Sequence, residues 1–197
     1  SINTKKFKKT IKRDDKFRVL FCGSVEPRKG FHYLLEAFDS LKLDNAELWV
    51  IGSLNYLKKD KKFKRFINKY QKRNIIFFDT IGSNKLADYF SQCSILVLPS
   101  ISDGFGLVVM QAMACNLPVI ASENTGASDL ITNGKDGFVV QTRNVNAIAE
   151  RIKYFHENPH KIKEMGNNGY KTAQKSSTWD NYGDRWQAFL NELIIKN

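Results

Sequence analysis

Two stretches of this chain bring charge, glycine and a helix start close together. The first is Gly23-Ser-Val-Glu-Pro-Arg-Lys-Gly30, where Arg28 and Lys29 stand beside a predicted helix start. The first amides of a helix have no acceptor inside it, and with two cations beside them they suit a diphosphate. Taken alone, the segment is better explained as an exposed turn. The second stretch runs from Pro99 to Ser122. A strand ends at Pro99, a loop carrying Asp103, Gly104, Phe105 and Gly106 follows, and an apolar helix opens at Leu107. The amides of Gly106, Leu107 and Val108 would be free at that helix start, and Gln111 would lie ~7 Å further along the axis. A phosphate on the amides and a ribose beside Gln111 fit that spacing. Neither stretch is a P-loop, because no Ser or Thr follows Lys29. Neither is a dinucleotide fingerprint, because Val109 stands where a third glycine would be needed.

The elements that must position these residues alternate between strands and helices. Short apolar runs at Arg18–Cys22, Glu47–Ile51, Ile75–Phe78, Ile95–Leu98, Pro118–Ala121 and Gly137–Val140 read as strands. Helical patterns lie between them at Gly30–Leu41, 58–73, Lys85–Gln92 and Leu107–Ala114, with a helical turn over Asp129–Asn133. Three more helices, 145–157, 160–175 and 180–195, close the chain, with Trp179 and Trp186 as expected anchors. This order predicts an α/β, Rossmann-like doubly wound parallel sheet of about six strands, with helices on both faces. Residues 1–16 read as a linker and 17–197 as one domain. Gly23, Gly52, Gly82, Gly104 with Gly106, and Gly126 all follow predicted strands, and so share the carboxyl edge where such sheets bind ligands.

Composition narrows the function classes. The chain has 197 residues, 42% of them hydrophobic and 26% charged, enough apolar material for a packed core and too much for disorder. No apolar run is long enough to span a membrane, and the N-terminus lacks a signal-peptide core. Cys22, Cys93 and Cys115 are odd in number and far apart, and read as reduced core thiols of a cytoplasmic protein rather than a disulfide framework or zinc site. The net charge of +11 is concentrated: residues 1–16 hold seven basic and two acidic side chains, and 58–73 hold nine against Asp60 alone. In the second segment Phe63, Phe66, Ile67 and Tyr70 form a core-facing stripe, which leaves the lysines as a solvated face. That face suits an anionic membrane better than RNA, since the aromatic rings RNA would stack on are used in the core.

The two stretches, with their surroundings, resemble the C-terminal, donor-binding domain of retaining glycosyltransferases of family four (glycosyl transferases group 1), which have the two-domain GT-B fold. The resemblance rests on Arg28-Lys29-Gly30, Pro99-Ser100, Gly104-Phe-Gly-Leu107, Ala112-Met-Ala114, Pro118-Val-Ile-Ala121, Gly126, Asp136-Gly-Phe138 and Trp179, in order from about Phe17 to the last helix. Asn3-Thr-Lys-Lys-Phe7 is similar to the segment that follows the family's N-terminal domain. The resemblance implies that Lys29 and Arg28 hold the donor diphosphate. Gly23, Ser24, Gly104, Phe105, Gly106, Leu107 and Val108 would line the donor site. The family's two glutamates fall on Asp103, beside the transferred sugar, and Gln111, on the ribose. Asp103 keeps the charge on a shorter arm, while Gln111 can accept from one hydroxyl and donate to the other.

The reaction implied is transfer of a sugar from a UDP- or GDP-linked donor to a glycan or lipid-linked acceptor with retained configuration, in surface polysaccharide or glycoconjugate biosynthesis. It needs no cofactor and no metal, the leaving diphosphate being held by cations and amides. The acceptor would sit on an N-terminal domain that this chain lacks, and the protein would be cytoplasmic with a peripheral hold on the inner face of the membrane. Two rival readings stay open. One is a non-catalytic nucleotide-sugar-binding or assembly module, and the other a basic nucleic-acid-binding protein.

Overall fold

The computed structural model describes residues 7, 9–10, 14–70, 74–176, 183 and 186–192. Six strands form one sheet: β1 (Phe17–Cys22), β2 (Ala46–Ile51), β3 (Ile75–Phe78), β4 (Ile95–Leu98), β5 (Val119–Ser122) and β6 (Gly137–Val140). All pair in parallel in the order β3-β2-β1-β4-β5-β6. Seven helices connect or follow them: α1 (Phe31–Leu41), α2 (Asn55–Lys59), α3 (Lys61–Asn68), α4 (Leu86–Gln92), α5 (Leu107–Ala114), α6 (Val145–Glu157) and α7 (Pro159–Ser176). Residue 183 and residues 186–192 are also helical.

The sheet is covered on both faces, so its strands are apolar along most of their length rather than at alternate positions. Side-chain alternation divides the core into two. Val19, Phe21, Leu48, Val50, Ile95 and Val97 join α1, α6 and Ile67 of α3 on one face. Leu20, Trp49, Ile51, Leu96 and Leu98 join α4 and α5 on the other. At the amino edge of the sheet Arg18, 7% exposed, donates to Glu47 at 2.9 Å and to Asp14 at 2.7 and 2.8 Å, and lies over the Trp49 ring. Burial opposes ionisation of Glu47, but hydrogen bonds from Lys16, Arg18 and Trp49 outweigh it and hold its carboxyl below the usual range. Asp136, 1% exposed, ties α7 to the loop before β6 by accepting from the Thr132 amide and the Thr172 hydroxyl, both at 2.8 Å.

Several expectations are corrected. The single helix over 58–73 is two, because Asp60 leaves helical geometry and caps α3 by accepting from the Phe63 amide at 2.9 Å. In its apolar stripe only Ile67 is fully buried, and Phe63, Phe66 and Tyr70 pack half-exposed. The expected strand Ile75–Phe78 is present, and because it ends the sheet its Phe77 and Phe78 are only half-buried. The helical turn lies earlier than 129–133, at Gly126–Leu130. Trp186, expected as an anchor, is 48% exposed, and Trp179 lies outside the described residues. Of the segment read as a linker, Phe7 is buried and stacks on Phe90, and the Thr10 hydroxyl donates to Asp88 at 2.7 Å.

Candidate functional site

The strand order reverses between β1 and β4, so the loops leaving their carboxyl ends diverge and open a crevice. Both sequence stretches singled out above are those loops. After β1 the chain makes a short 3-10 turn, Pro27–Lys29, and Gly30 caps it with φ +67 before α1. A β-carbon on Gly30 would stand 1.8 Å from the Pro99 carbonyl oxygen, so only glycine lets the β1 and β4 loops meet here. They are laced together. The Ile101 amide donates to the Arg28 carbonyl at 2.8 Å, and the Arg28 guanidinium donates to the Ser102 carbonyl at 3.0 Å.

Across this junction the Lys29 ammonium donates to the Asp103 carboxylate at 2.6 Å, with both side chains less than one-fifth exposed. Asp103 is fixed from the other side too, its backbone forming a bridge to Thr125. Gly106 then turns the chain into α5 with φ +72, and a β-carbon there would meet the Thr125 methyl at 2.6 Å. The resulting cleft, about 450 Å³, is lined by Cys22, Gly23, Lys29, Leu98, the run Asp103–Val108, and Gln111. The amides of Gly106, Leu107 and Val108 have no acceptor among the described residues. They leave the positive end of α5 open to the cleft. Phe105 and Leu107 present exposed apolar side chains at its mouth.

Nine of the eleven residues expected at the site therefore line one cleft: Gly23, Lys29, Asp103, Gly104, Phe105, Gly106, Leu107, Val108 and Gln111. Arg28 and Ser24 do not. Arg28 is exposed and turned to Glu26, with which it pairs at 2.9 Å, and Ser24 is exposed beside it. Cys22 does line the cleft, although the sequence reads it as a core thiol, and its last place in β1 was the signal for a rim position. Burial pushes this thiol up to about 12, which leaves it protonated and a poor nucleophile. Among the described residues no three His, Cys, Asp or Glu side chains gather as a metal-binding group.

A cation, a row of free amides and an amide side chain on one carboxyl-edge cleft can hold a phosphorylated ligand. Residues 2–172 match the family of glycosyl transferases group 1. The chain belongs to that family. Among curated members, it is 31% identical over 164 residues to the uncharacterized glycosyltransferase MJ1178 of Methanocaldococcus jannaschii, which covers 82% of the chain and 44% of that protein. It is 28% identical to CapM of Staphylococcus aureus, a capsular polysaccharide biosynthesis glycosyltransferase, over 91% of the chain and 48% of that protein. The chain thus spans less than half the length of these relatives.

Solved structures agree on the fold of this group 1 domain. Sucrose-phosphate synthase of Thermosynechococcus elongatus matches with a TM-score of 0.82 and 25% identity, over all of this chain and 52% of that one. The C-terminal domain of LpcC, a group 1 glycosyl transferase of Francisella tularensis, matches with 0.81 and 22% identity over 91% of this chain and its own whole length. Anabaena HepE, solved in complex with UDP-glucose, matches with 0.78 and 20% identity over 90% of this chain and 49% of its own. The α/β Rossmann-like architecture is that of a GT-B C-terminal domain.

Proposed function

We propose that this group 1 domain binds a nucleoside-diphosphate sugar in the cleft between β1 and β4, and serves as the donor half of a retaining glycosyltransferase. The observation that carries this reading is the convergence of Lys29 with the free amides at the start of α5, with Gln111 one turn along. The diphosphate is held by Lys29 and those amides, which oppose the charge that grows as the sugar leaves. Lys29 must exchange its contact with Asp103 for the phosphates, which frees the Asp103 carboxylate for the sugar hydroxyls. Gln111 holds the ribose. Arg28, turned to Ser102 and Glu26, acts by bracing the β4 loop rather than by touching phosphate.

The acceptor, a glycan or a lipid-linked sugar, would enter over Phe105 and Leu107 from a second domain. The ligand of HepE and the pathway of CapM support a UDP-sugar and a surface polysaccharide, respectively. The experiment is a thermal melt of this chain with UDP and GDP, each with and without magnesium or manganese. Stabilisation by one nucleotide at millimolar concentration without added metal is expected. No response to either nucleotide, or a response only with the metal, overturns this site.

A further inference from the structure

Outside the cleft, the most unusual surface is formed by α2 and α3. Lys58, Lys59, Lys61, Lys62, Lys64, Arg65 and Lys69 are all exposed. None of the seven side chains has a hydrogen-bond or ion-pair partner among the described residues. Elsewhere several cations are matched, Lys16 and Arg18 with Glu47, Arg28 with Glu26, Lys29 with Asp103, Lys153 with Glu157 and Lys161 with Glu164. Others, Lys135, Lys163 and Lys171 among them, have no ion pair among the described residues, but no other described segment carries so dense a basic run. The segment's one acid, Asp60, faces inward, capping the Phe63 amide and accepting from the Tyr56 hydroxyl. Seven like charges so close repel one another, and none of them is paired among the described residues. An external anionic surface would relieve that repulsion.

The position of the patch favours a bilayer. The loop after β1 is tied to the start of α2, with the Gly23 amide donating to the Ile51 carbonyl at 2.9 Å and the Val25 amide to Ser53 at 3.0 Å. The patch therefore begins on the carboxyl rim that carries the cleft and continues down α3. The apolar side of α3 is spent on the domain: Phe63 and Phe66 meet His32 of α1 edge-on, with ring centroids at 5.8 and 6.3 Å, and Phe66 packs on Tyr70. That leaves a helix face of exposed cations, while the neighbouring rings are partly buried and engaged with His32 and with one another. Such a face suits the potential of anionic headgroups, whereas single-stranded RNA is held by rings that present an open face for stacking, and the rings here are packed on the domain.

We infer that α2 and α3 form a docking surface for an anionic membrane leaflet, which holds the cleft rim at the bilayer. The surface is separate from the nucleotide site, and each can fail without the other. The test is partition of the chain onto vesicles of phosphatidylcholine and phosphatidylglycerol in equal parts, against phosphatidylcholine alone. Wild type should bind only the anionic vesicles. The triple variant Lys58→Gln, Lys62→Gln, Arg65→Gln should lose about a hundredfold in partition, at roughly fivefold per cation. A control with the same charge loss on exposed positions near α7, Lys135→Gln, Lys163→Gln, Lys171→Gln, should lose far less. Both variants should melt like wild type and keep its response to UDP. Absence of vesicle binding by wild type, equal losses in both variants, or displacement of the chain from vesicles by single-stranded RNA at equal phosphate would each overturn the assignment.

Discussion

Lys29 and Asp103 are 74 residues apart in sequence and 2.6 Å apart in the fold, and what each does follows from that contact. Lys29→Ala removes the cation from the cleft. It should weaken nucleotide binding and, in an enzyme with both domains, slow transfer beyond the loss in binding, because the diphosphate gains charge in the transition state. Asp103→Asn should do the opposite to free UDP. It releases Lys29 and removes a negative charge facing the phosphates, so UDP affinity should rise in a titration calorimeter while sugar transfer falls. Gln111 is half-buried on α5 and is proposed to meet only the ribose, which does not change during reaction. Gln111→Ala should therefore raise the donor KM with kcat nearly intact, a loss of about 1–2 kcal/mol. Gln111→Glu should be tolerated, since a carboxylate accepts from both ribose hydroxyls. Intact donor affinity with turnover abolished in Gln111→Ala would place that side chain at the chemistry instead.

The elements divide the work between holding the sheet and presenting charge. In α3 burial falls on Ile67, while Phe66 rests half-exposed on the domain surface. Ile67→Ala should thus cost about 2–5 kcal/mol in a denaturant titration, and Phe66→Ala less than the 3–5 typical of a buried ring. The lysines around them should be dispensable for folding. At the opposite edge, β1 and β2 are joined by the buried Arg18–Glu47 pair. Because the folded pKa of Glu47 lies below its ordinary 4.5, the pair stabilises fully above that value, and the contribution is lost as pH falls through the lower, folded value. Wild type should therefore melt well above Glu47→Gln at pH 7, and the gap should close on acidification. A gap independent of pH would show that Glu47 acts by packing alone.

For the molecule as a whole, the proposed nucleotide site would link ligand binding to folding through one crevice. A nucleotide bound only by the folded state should raise stability by about 2.7 kcal/mol at a hundredfold excess over its Kd, visible as a rise in melting temperature. Gly30→Ala should remove much of that response as well as stability, because its β-carbon would push the β1 and β4 loops apart at Pro99. The sequence by itself determined the strands, most helices and the doubly wound class. Apolar runs and helical periods are local signals, and a sheet covered on both faces leaves few other ways to bury them. It also marked most of the cleft, because loops that follow parallel strands share one edge whatever the strand order. Only the tertiary structure decided which of two adjacent cations serves the cleft. Lys29 and Arg28 are equivalent as sequence, but the 3-10 turn sends one side chain to Asp103 and the other to Glu26 and Ser102. Tertiary packing likewise left Phe66 and Phe78 half-exposed, since a periodic stripe records which side faces the core but not how far the core extends. That limit was set by β3 ending the sheet, and by Asp60 breaking the basic helix in two.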